Sequence, residues 1–286
     1  MYEIIRNLLL SLLVPAAVAG AGYLTLSAQA QLPRAWSALL AGLVATIAFG
    51  LGYYFLAGRL PLLPKESSNW LLYVGLVAAV SAAVLAGSEA SAPGRILVMV
   101  IAVSLVAFAL VRPLWLSTWK PVQAVWLTGM ILAFGTIGWA MLHLVVERMQ
   151  KSWAVASIVM IFACSCVAVA ASGSVSLAQF GGIFAAVLCP LILVAWRNPT
   201  SGVFALVVPL AALALLAVLI NARFYAELGI IAAILILLSP LTGWVLARFG
   251  PEAGFLTHGF VRFLFTSAPA AGAAIYAILT SSPSGY

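Results

Sequence analysis

Long apolar stretches follow one another along almost the whole of this chain. A helix of about 20 apolar residues crosses the hydrocarbon core of a bilayer, which is about 30 Å thick. Ten windows of suitable length run approximately over 4–28, 36–58, 69–89, 95–116, 122–146, 152–172, 175–196, 200–221, 225–248 and 258–281. We therefore predict an all-α fold, a polytopic transmembrane helix bundle of about ten transmembrane helices with short loops.

The composition leaves little room for any other class of fold. Of the 286 residues, 65% are hydrophobic and 7% are charged, whereas soluble domains carry about 25% charged residues. The longest connection, from Arg59 to Asn69, is too short for a soluble domain. We expect a single integral membrane domain over 1–286, with 1–148 and 149–286 as candidate halves.

The few charged residues exclude several classes of function. The net charge is +7, but the basic residues are thinly spread, so the chain lacks the basic patch that binds nucleic acid. All six acidic residues are Glu. No charged residue falls in the middle third of a window, where a charge costs at least about 2.5 kcal/mol and usually serves a function. This placement disfavours ion pumps and proton-coupled carriers.

Cysteine and histidine provide no recognisable cofactor site. Cys164, Cys166 and Cys189 lie within apolar windows and lack the CxxC spacing of zinc sites. Two histidines are too few to ligate several haems. We predict no metal site, no cofactor and no catalytic residues.

Small residues recur at every fourth position in two windows. Such stripes let helix backbones approach closely, which favours helix association in membranes. The stripes are Gly42, Thr46 and Gly50 in the second window, and Gly75, Ala79, Ala83 and Gly87 in the third. We predict that both helices pack tightly against neighbours, although chance recurrence in a Gly- and Ala-rich chain is the alternative.

Each of the last four windows contains an interior proline. A proline inside a helix removes one hydrogen bond and frees a carbonyl, which must then face protein or a wet cavity. The four are Pro190, Pro209, Pro240 and Pro269. Hydroxyls beside two of them, those of Ser239, Thr266 and Ser267, are candidates to bond the freed carbonyls. These seven residues form our predicted substrate lining; the alternative is that the prolines only shape the bundle.

A second group of polar residues lies at the membrane face opposite the N-terminus. His143 and Glu147 are four residues apart and share a helix face, and His258 begins the tenth window. Such side chains can hold a metal or act as an acid–base pair. The alternative, which we prefer, is that they are solvated at the interface.

Two connections carry further polar residues. Arg112, Trp115, Trp119 and Lys120 interleave basic and aromatic side chains after the fourth window. This pattern suits lipid headgroups, although snorkelling interface anchors explain it equally well and are our preferred interpretation. The Ser- and Gly-rich stretch 172–176 is expected to be only a tight turn.

The Lys and Arg residues give a divided signal for topology. The first half of the chain favours a cytoplasmic N-terminal side, whereas the second half favours the opposite side. Because the first helix usually sets orientation, we expect both termini of a ten-helix protein in the cytoplasm and the protein in the cell (inner) membrane. Ala28-Gln29-Ala30 resembles a signal-peptidase site, but we expect the first window to be retained.

These features suggest three functions. The first is a small-molecule or lipid carrier with its site among the Pro-broken helices 7–10. In length and helix count the chain is similar in outline to compact carriers such as the drug/metabolite transporter superfamily, although it has no motif of that family. The alternative is a non-catalytic subunit of a larger membrane complex, with other subunits or a homo-oligomer as partners besides the lipid bilayer. An intramembrane enzyme using His143, Glu147 and His258 is the least favoured.

Overall fold

A computed structural model describes residues 2–29, 31–60, 64, 66–87, 92–249 and 255–281; the side chains of 2–4, 246–249 and 255–258 lie outside this description. The described chain is almost entirely helical and contains no strand. Its α-helices are α1 (Tyr2–Ala28), α2 (Arg34–Ala57), α3 (Leu71–Gly87), α4 (Ala92–Ser117), α5 (Pro121–Arg148), α6 (Lys151–Ala171), α7 (Val175–Leu188), α8 (Leu191–Arg197), α9 (Val207–Tyr225), α10 (Ile230–Phe249) and α11 (Phe255–Thr280). Short 3-10 helices, Ser67–Trp70 and Gly202–Leu206, precede α3 and α9.

The helices match the predicted membrane spans. Within the described ranges, nine helical stretches are long and apolar enough to cross a membrane, and Ile230–Val245 is a shorter apolar helix. Three of the nine are composite: Ser67–Gly87 contains a 3-10 helix and α3, Val175–Arg197 contains α7 and α8, and Gly202–Tyr225 contains a 3-10 helix and α9. The prediction of an all-α transmembrane bundle is confirmed. We call the face at which α1 begins the N-terminal face and the other the opposite face.

Helix α9 lies at the centre of the bundle. Every residue from Val207 to Ala222 is buried, and α3, α4, α5 and α7 pack around it. The reason is visible in the sequence VVPLAALALLAVLINA, which is apolar on all sides except for Asn221 near its end and so has no polar face to turn toward water. The middle of the bundle is therefore filled by a helix.

The two small-residue stripes pack against each other. A methyl group added at Gly42 of α2 would lie 2.2 Å from the Ala79 Cβ of α3, and one added at Gly75 would lie 2.5 Å from the Thr46 Oγ1. Backbones this close are possible only without larger side chains. The predicted tight packing of both helices is confirmed, and each is the other's partner.

The last two helices form a hairpin that packs on α6 and α5. The Thr242 hydroxyl of α10 donates to the Phe265 carbonyl of α11 over 2.8 Å. A methyl group added at Gly243 would lie 2.2 Å from the Thr266 Oγ1. Close backbone approach and an interhelical hydrogen bond therefore hold this hairpin together.

Candidate functional site

The four prolines of the predicted site interrupt their helices to different degrees. Pro190 lies between α7 and α8 and separates them. Pro240 and Pro269 lie inside α10 and α11, each of which continues past its proline. Pro209 differs from the prediction, because α9 starts only at Val207 and the proline occupies its first turn. A proline is tolerated there, since the first N–H groups of a helix lack intrahelical acceptors.

The predicted hydroxyls bond to their own helices. Ser239 donates to the Leu235 carbonyl over 3.2 Å. Thr266 and Ser267 likewise donate to carbonyls four residues earlier, at Arg262 and Phe263. All three side chains are buried.

The carbonyl freed by Pro269 has a different partner. A proline leaves the carbonyl four residues earlier without its helical donor. In α11 the carbonyl freed in this way is that of Phe265. The donor is Thr242 of α10, at 2.8 Å. Sequence reasoning missed Thr242 because it looked for donors beside the prolines in the chain, whereas this donor comes from the neighbouring helix.

The His143–Glu147 pair forms as its spacing predicts. The two atoms His143 Nε2 and Glu147 Oε1 are 3.1 Å apart, and the side chains are 36% and 52% exposed. His258 lies outside the residues whose side chains are described. Near it, the Arg262 guanidinium of α11 donates to the Arg148 carbonyl over 3.0 Å, so α11 does reach the end of α5.

A polar cavity of about 840 Å³ opens at the N-terminal face, where α2, α4 and α9 end and α7 begins. We call it the vestibule. Its polar lining consists of Tyr53, Arg59, Glu66, Ser67, Ser68, Asn69, Ser174, Ser176, Asn221 and Tyr225. The volume lies within the range of about 300–1,000 Å³ that is usual for small-molecule sites. None of the seven residues of the predicted lining borders it.

Aromatic side chains form the floor of the vestibule. The rings of Tyr53 and Phe180 are stacked, with centroids 4.8 Å apart and planes 11° apart. One turn deeper, Phe49 and Phe184 stack at 4.2 Å. Because Phe49 and Tyr53 belong to α2 and the other two rings to α7, the stack joins the two candidate halves and closes the way into the bundle.

Hydrogen bonds fix the walls around this floor. The Tyr53 hydroxyl donates to the Asn69 Oδ1 over 2.7 Å, which ties α2 to the 3-10 helix before α3. The Tyr225 hydroxyl donates to the Leu110 carbonyl over 2.9 Å, which ties α9 to α4. The vestibule therefore has defined walls and is not a loose gap between helices.

Asn221 is the most deeply buried polar residue of the vestibule. Its side chain is 2% exposed, and its Nδ2 donates to the Ala217 carbonyl over 2.9 Å. The Asn221 Oδ1 accepts no hydrogen bond from another described residue. Because Asn221 borders the vestibule, this oxygen is free to accept from a donor on a bound molecule.

Searches of protein-family models, curated proteins and solved structures found no match to this chain. The geometry of its own residues is therefore the basis for assigning a function.

The opposite face of the same helices is closed by residues 198–206, which we call the seal. The Asn198 Nδ2 donates to the Ser27 carbonyl at the end of α1 over 2.9 Å. A methyl group added at Gly202 would lie 3.0 Å from the Ser37 Cβ of α2. The seal therefore lies in close contact with α2 at Gly202.

Lys151 completes the seal from the side of α6. Its ammonium donates to the Pro199 carbonyl and lies 5.1 Å from the centre of the Phe204 ring, a distance suited to a cation–π interaction. The seal thus contacts α1, α2 and α6. The boundary between the candidate halves is open at one face and closed at the other.

Two signals in the sequence point to the vestibule. The turn at 172–176 supplies Ser174 and Ser176, and the end of α9 supplies Asn221. The sequence of the turn at 172–176 predicts only a connection, whereas two of its serines line the cavity. Tyr53 and Tyr225 have no local signal, because only the packed bundle brings these helix ends together.

Proposed function

We propose that this protein is a carrier for a small polar molecule, which enters through the vestibule. The observation that carries the proposal is that the surface of α2 is open at the N-terminal face and covered at the opposite face. Where α2 faces α7, a polar cavity opens at the N-terminal face, while at the opposite face the seal, which leads into α9, packs on α2. A carrier in alternating access has this form when its site faces one side.

The lining of the vestibule suggests the class of substrate. Arg59 and Glu66, of opposite charge, lie exposed at the mouth. Deeper groups are uncharged: the Asn221 amide and the hydroxyls of the tyrosines. A zwitterionic or neutral molecule with hydrogen-bond donors fits this lining, because an ion of single charge meets no counter-charge at the floor.

The transport step requires two linked changes. The Tyr53–Phe180 stack must part to pass the substrate, and the seal must separate from α2. Both changes move α7 and α9 relative to α2. We assign the bending to Pro190, which already separates α7 from α8, since a proline inside a helical span removes backbone hydrogen bonds that resist bending.

Cysteine accessibility tests the proposal in proteoliposomes containing the full chain. The native Cys164, Cys166 and Cys189 are replaced by Ala, and Ser176→Cys reports the vestibule while Ser37→Cys reports the seal. Maleimides react with the thiolate, which forms only where water reaches the thiol. We expect fast labelling of Ser176→Cys and slower labelling of Ser37→Cys. A zwitterionic or neutral solute that is a substrate should accelerate the labelling of Ser37→Cys.

A cross-link and a buried control sharpen the result. The pair Ser37→Cys and Gly202→Cys is close enough for a disulfide, which should hold the seal shut, stop solute uptake and leave Ser176→Cys reactive. Ser165→Cys, which replaces a fully buried residue, should stay unlabelled throughout. The carrier proposal fails if Ser37→Cys is as inert as Ser165→Cys with every solute tested and the cross-link changes nothing.

A second candidate function is that of a non-catalytic subunit in a larger membrane complex. It is supported by α9, which fills the middle of the bundle with buried, almost entirely apolar residues. A subunit needs no opening of the seal, so the inert result for Ser37→Cys favours it. Co-purification of a stable partner in mild detergent would support it directly.

We further propose that the protein resides in the cell (inner) membrane with both termini in the cytoplasm, so that the vestibule opens to the cytoplasm. The proposal depends on the usual dominance of the first helix and on ten crossings.

A further inference from the structure

The outward surface of α5 contains an apolar groove of about 790 Å³. It is lined by Val122, Val125, Trp126, Gly129, Met130 and Ala133, which recur every three or four residues and so share one helix face. The hollow exists because Gly129 and Ala133 project little, while Val122 and Trp126 are 84% and 70% exposed and stand out beside them. No atom lies within 4 Å of a methyl group added at Gly129.

The length of the groove matches one leaflet of a bilayer. From Pro121 to Ala133 the helix rises about 18 Å at 1.5 Å per residue, and half of the hydrocarbon core is about 15 Å thick. The groove begins at the N-terminal face and ends near the middle of the membrane. An acyl chain of a lipid in that leaflet likewise runs from the membrane surface to the middle of the bilayer.

Two cations lie near the N-terminal face, where α4 ends and α5, which bears the groove, begins. Arg112 of α4 and Lys120, which precedes α5, are both exposed. Neither makes an ion pair with another residue in the described part of the chain. The Trp115 indole donates to the Thr128 Oγ1 over 2.8 Å, which fixes the end of α4 against α5.

We infer that this surface binds one anionic glycerophospholipid, with an acyl chain in the groove and its phosphate near Arg112 and Lys120. Charge complementarity and the one-leaflet length favour a lipid over a second copy of the chain. Each basic residue near a membrane surface contributes about fivefold to the affinity for anionic lipid. The inference does not depend on the carrier proposal.

Native mass spectrometry of the purified full chain tests the inference. Phosphatidylglycerol and phosphatidylcholine with the same acyl chains are added separately, and bound lipids are counted. We expect one retained phosphatidylglycerol in preference to phosphatidylcholine. Arg112→Gln and Lys120→Gln should each reduce that preference about fivefold, and Gly129→Leu should weaken binding of both lipids at least tenfold by filling the groove.

Matched variants separate these effects from general ones. Gly272→Leu also adds a side chain where no atom lies within 4 Å, and Arg197→Gln removes an exposed cation at the opposite face; neither should change binding. Equal retention of the two lipids by the unchanged protein would overturn the inference, as would wild-type binding by Gly129→Leu. A dimer that Gly129→Leu dissociates would instead identify a second copy as the occupant.

Discussion

At the residue scale, the vestibule depends on a few polar contacts between helices. The Tyr53 hydroxyl is one of them, because it joins α2 to Asn69 over 2.7 Å while the ring stacks on Phe180. One side chain therefore contributes both to the wall and to the floor. Asn221 differs, since its Nδ2 is bonded within α9 while its Oδ1 accepts no hydrogen bond from another described residue.

We predict that Tyr53→Phe lowers the free energy of unfolding by about 0.5–1.5 kcal/mol, the usual net value of one hydrogen bond. The ring and its stacking remain. Unfolding by sodium dodecyl sulfate in mixed micelles measures the change. Tyr54→Phe is the matched control, because Tyr54 is 48% exposed and its hydroxyl bonds to no other described residue. Equal stability of the two variants would contradict the prediction.

At the element scale, the α2–α3 pair shows how far a local pattern can be extended. The four-residue repeat in each window predicted a smooth face, and Gly42 and Gly75 lie in the closest contacts between the helices. The partner was harder to predict, because a stripe of small residues suits any similar helix. Pro209 shows a similar limit. The apolar window predicts it inside a helix, because the sequence does not show that a 3-10 helix precedes α9.

We predict that Gly42→Ala destabilises the protein by about 1–3 kcal/mol, the usual cost of overpacking. The added methyl group would lie 2.2 Å from the Ala79 Cβ and 2.6 Å from its Cα, so backbone would have to move. The measurement is again unfolding in mixed micelles. Gly272→Ala, with no atom within 4 Å of the added group, should be neutral or slightly stabilising through its helix preference. Similar losses for both variants would show that the α2–α3 contact is not the cause.

At the scale of the whole molecule, the class of fold could be predicted from the sequence, whereas the vestibule could not. Hydrophobic length and charge position are local properties, so they located the helices. The vestibule is not local: Tyr53, Asn69, Ser176 and Asn221 come from four separate segments and meet only after packing. The division into halves at 148/149 and the seven-residue lining among the prolines remain predictions.

We predict that a C-terminal alkaline phosphatase fusion is inactive and a C-terminal green fluorescent protein fusion is fluorescent. An even number of crossings returns the chain to its starting side, and the first helix favours a cytoplasmic start. The opposite pattern would contradict either the count of ten or the orientation. A fusion after Arg148, which follows five crossings, should show the reverse of the C-terminal result.

The burial of α9 has a consequence for assembly during synthesis. The segment 207–225 leaves the ribosome after α1 to α8, yet it ends up enclosed by α3, α4, α5 and α7. Since chains fold from the N-terminus as they are made, the earlier helices must leave a slot that is lined by protein and open to lipid. The nascent bundle is thus open on one side, and α9 reaches its middle by moving sideways out of the bilayer into that slot.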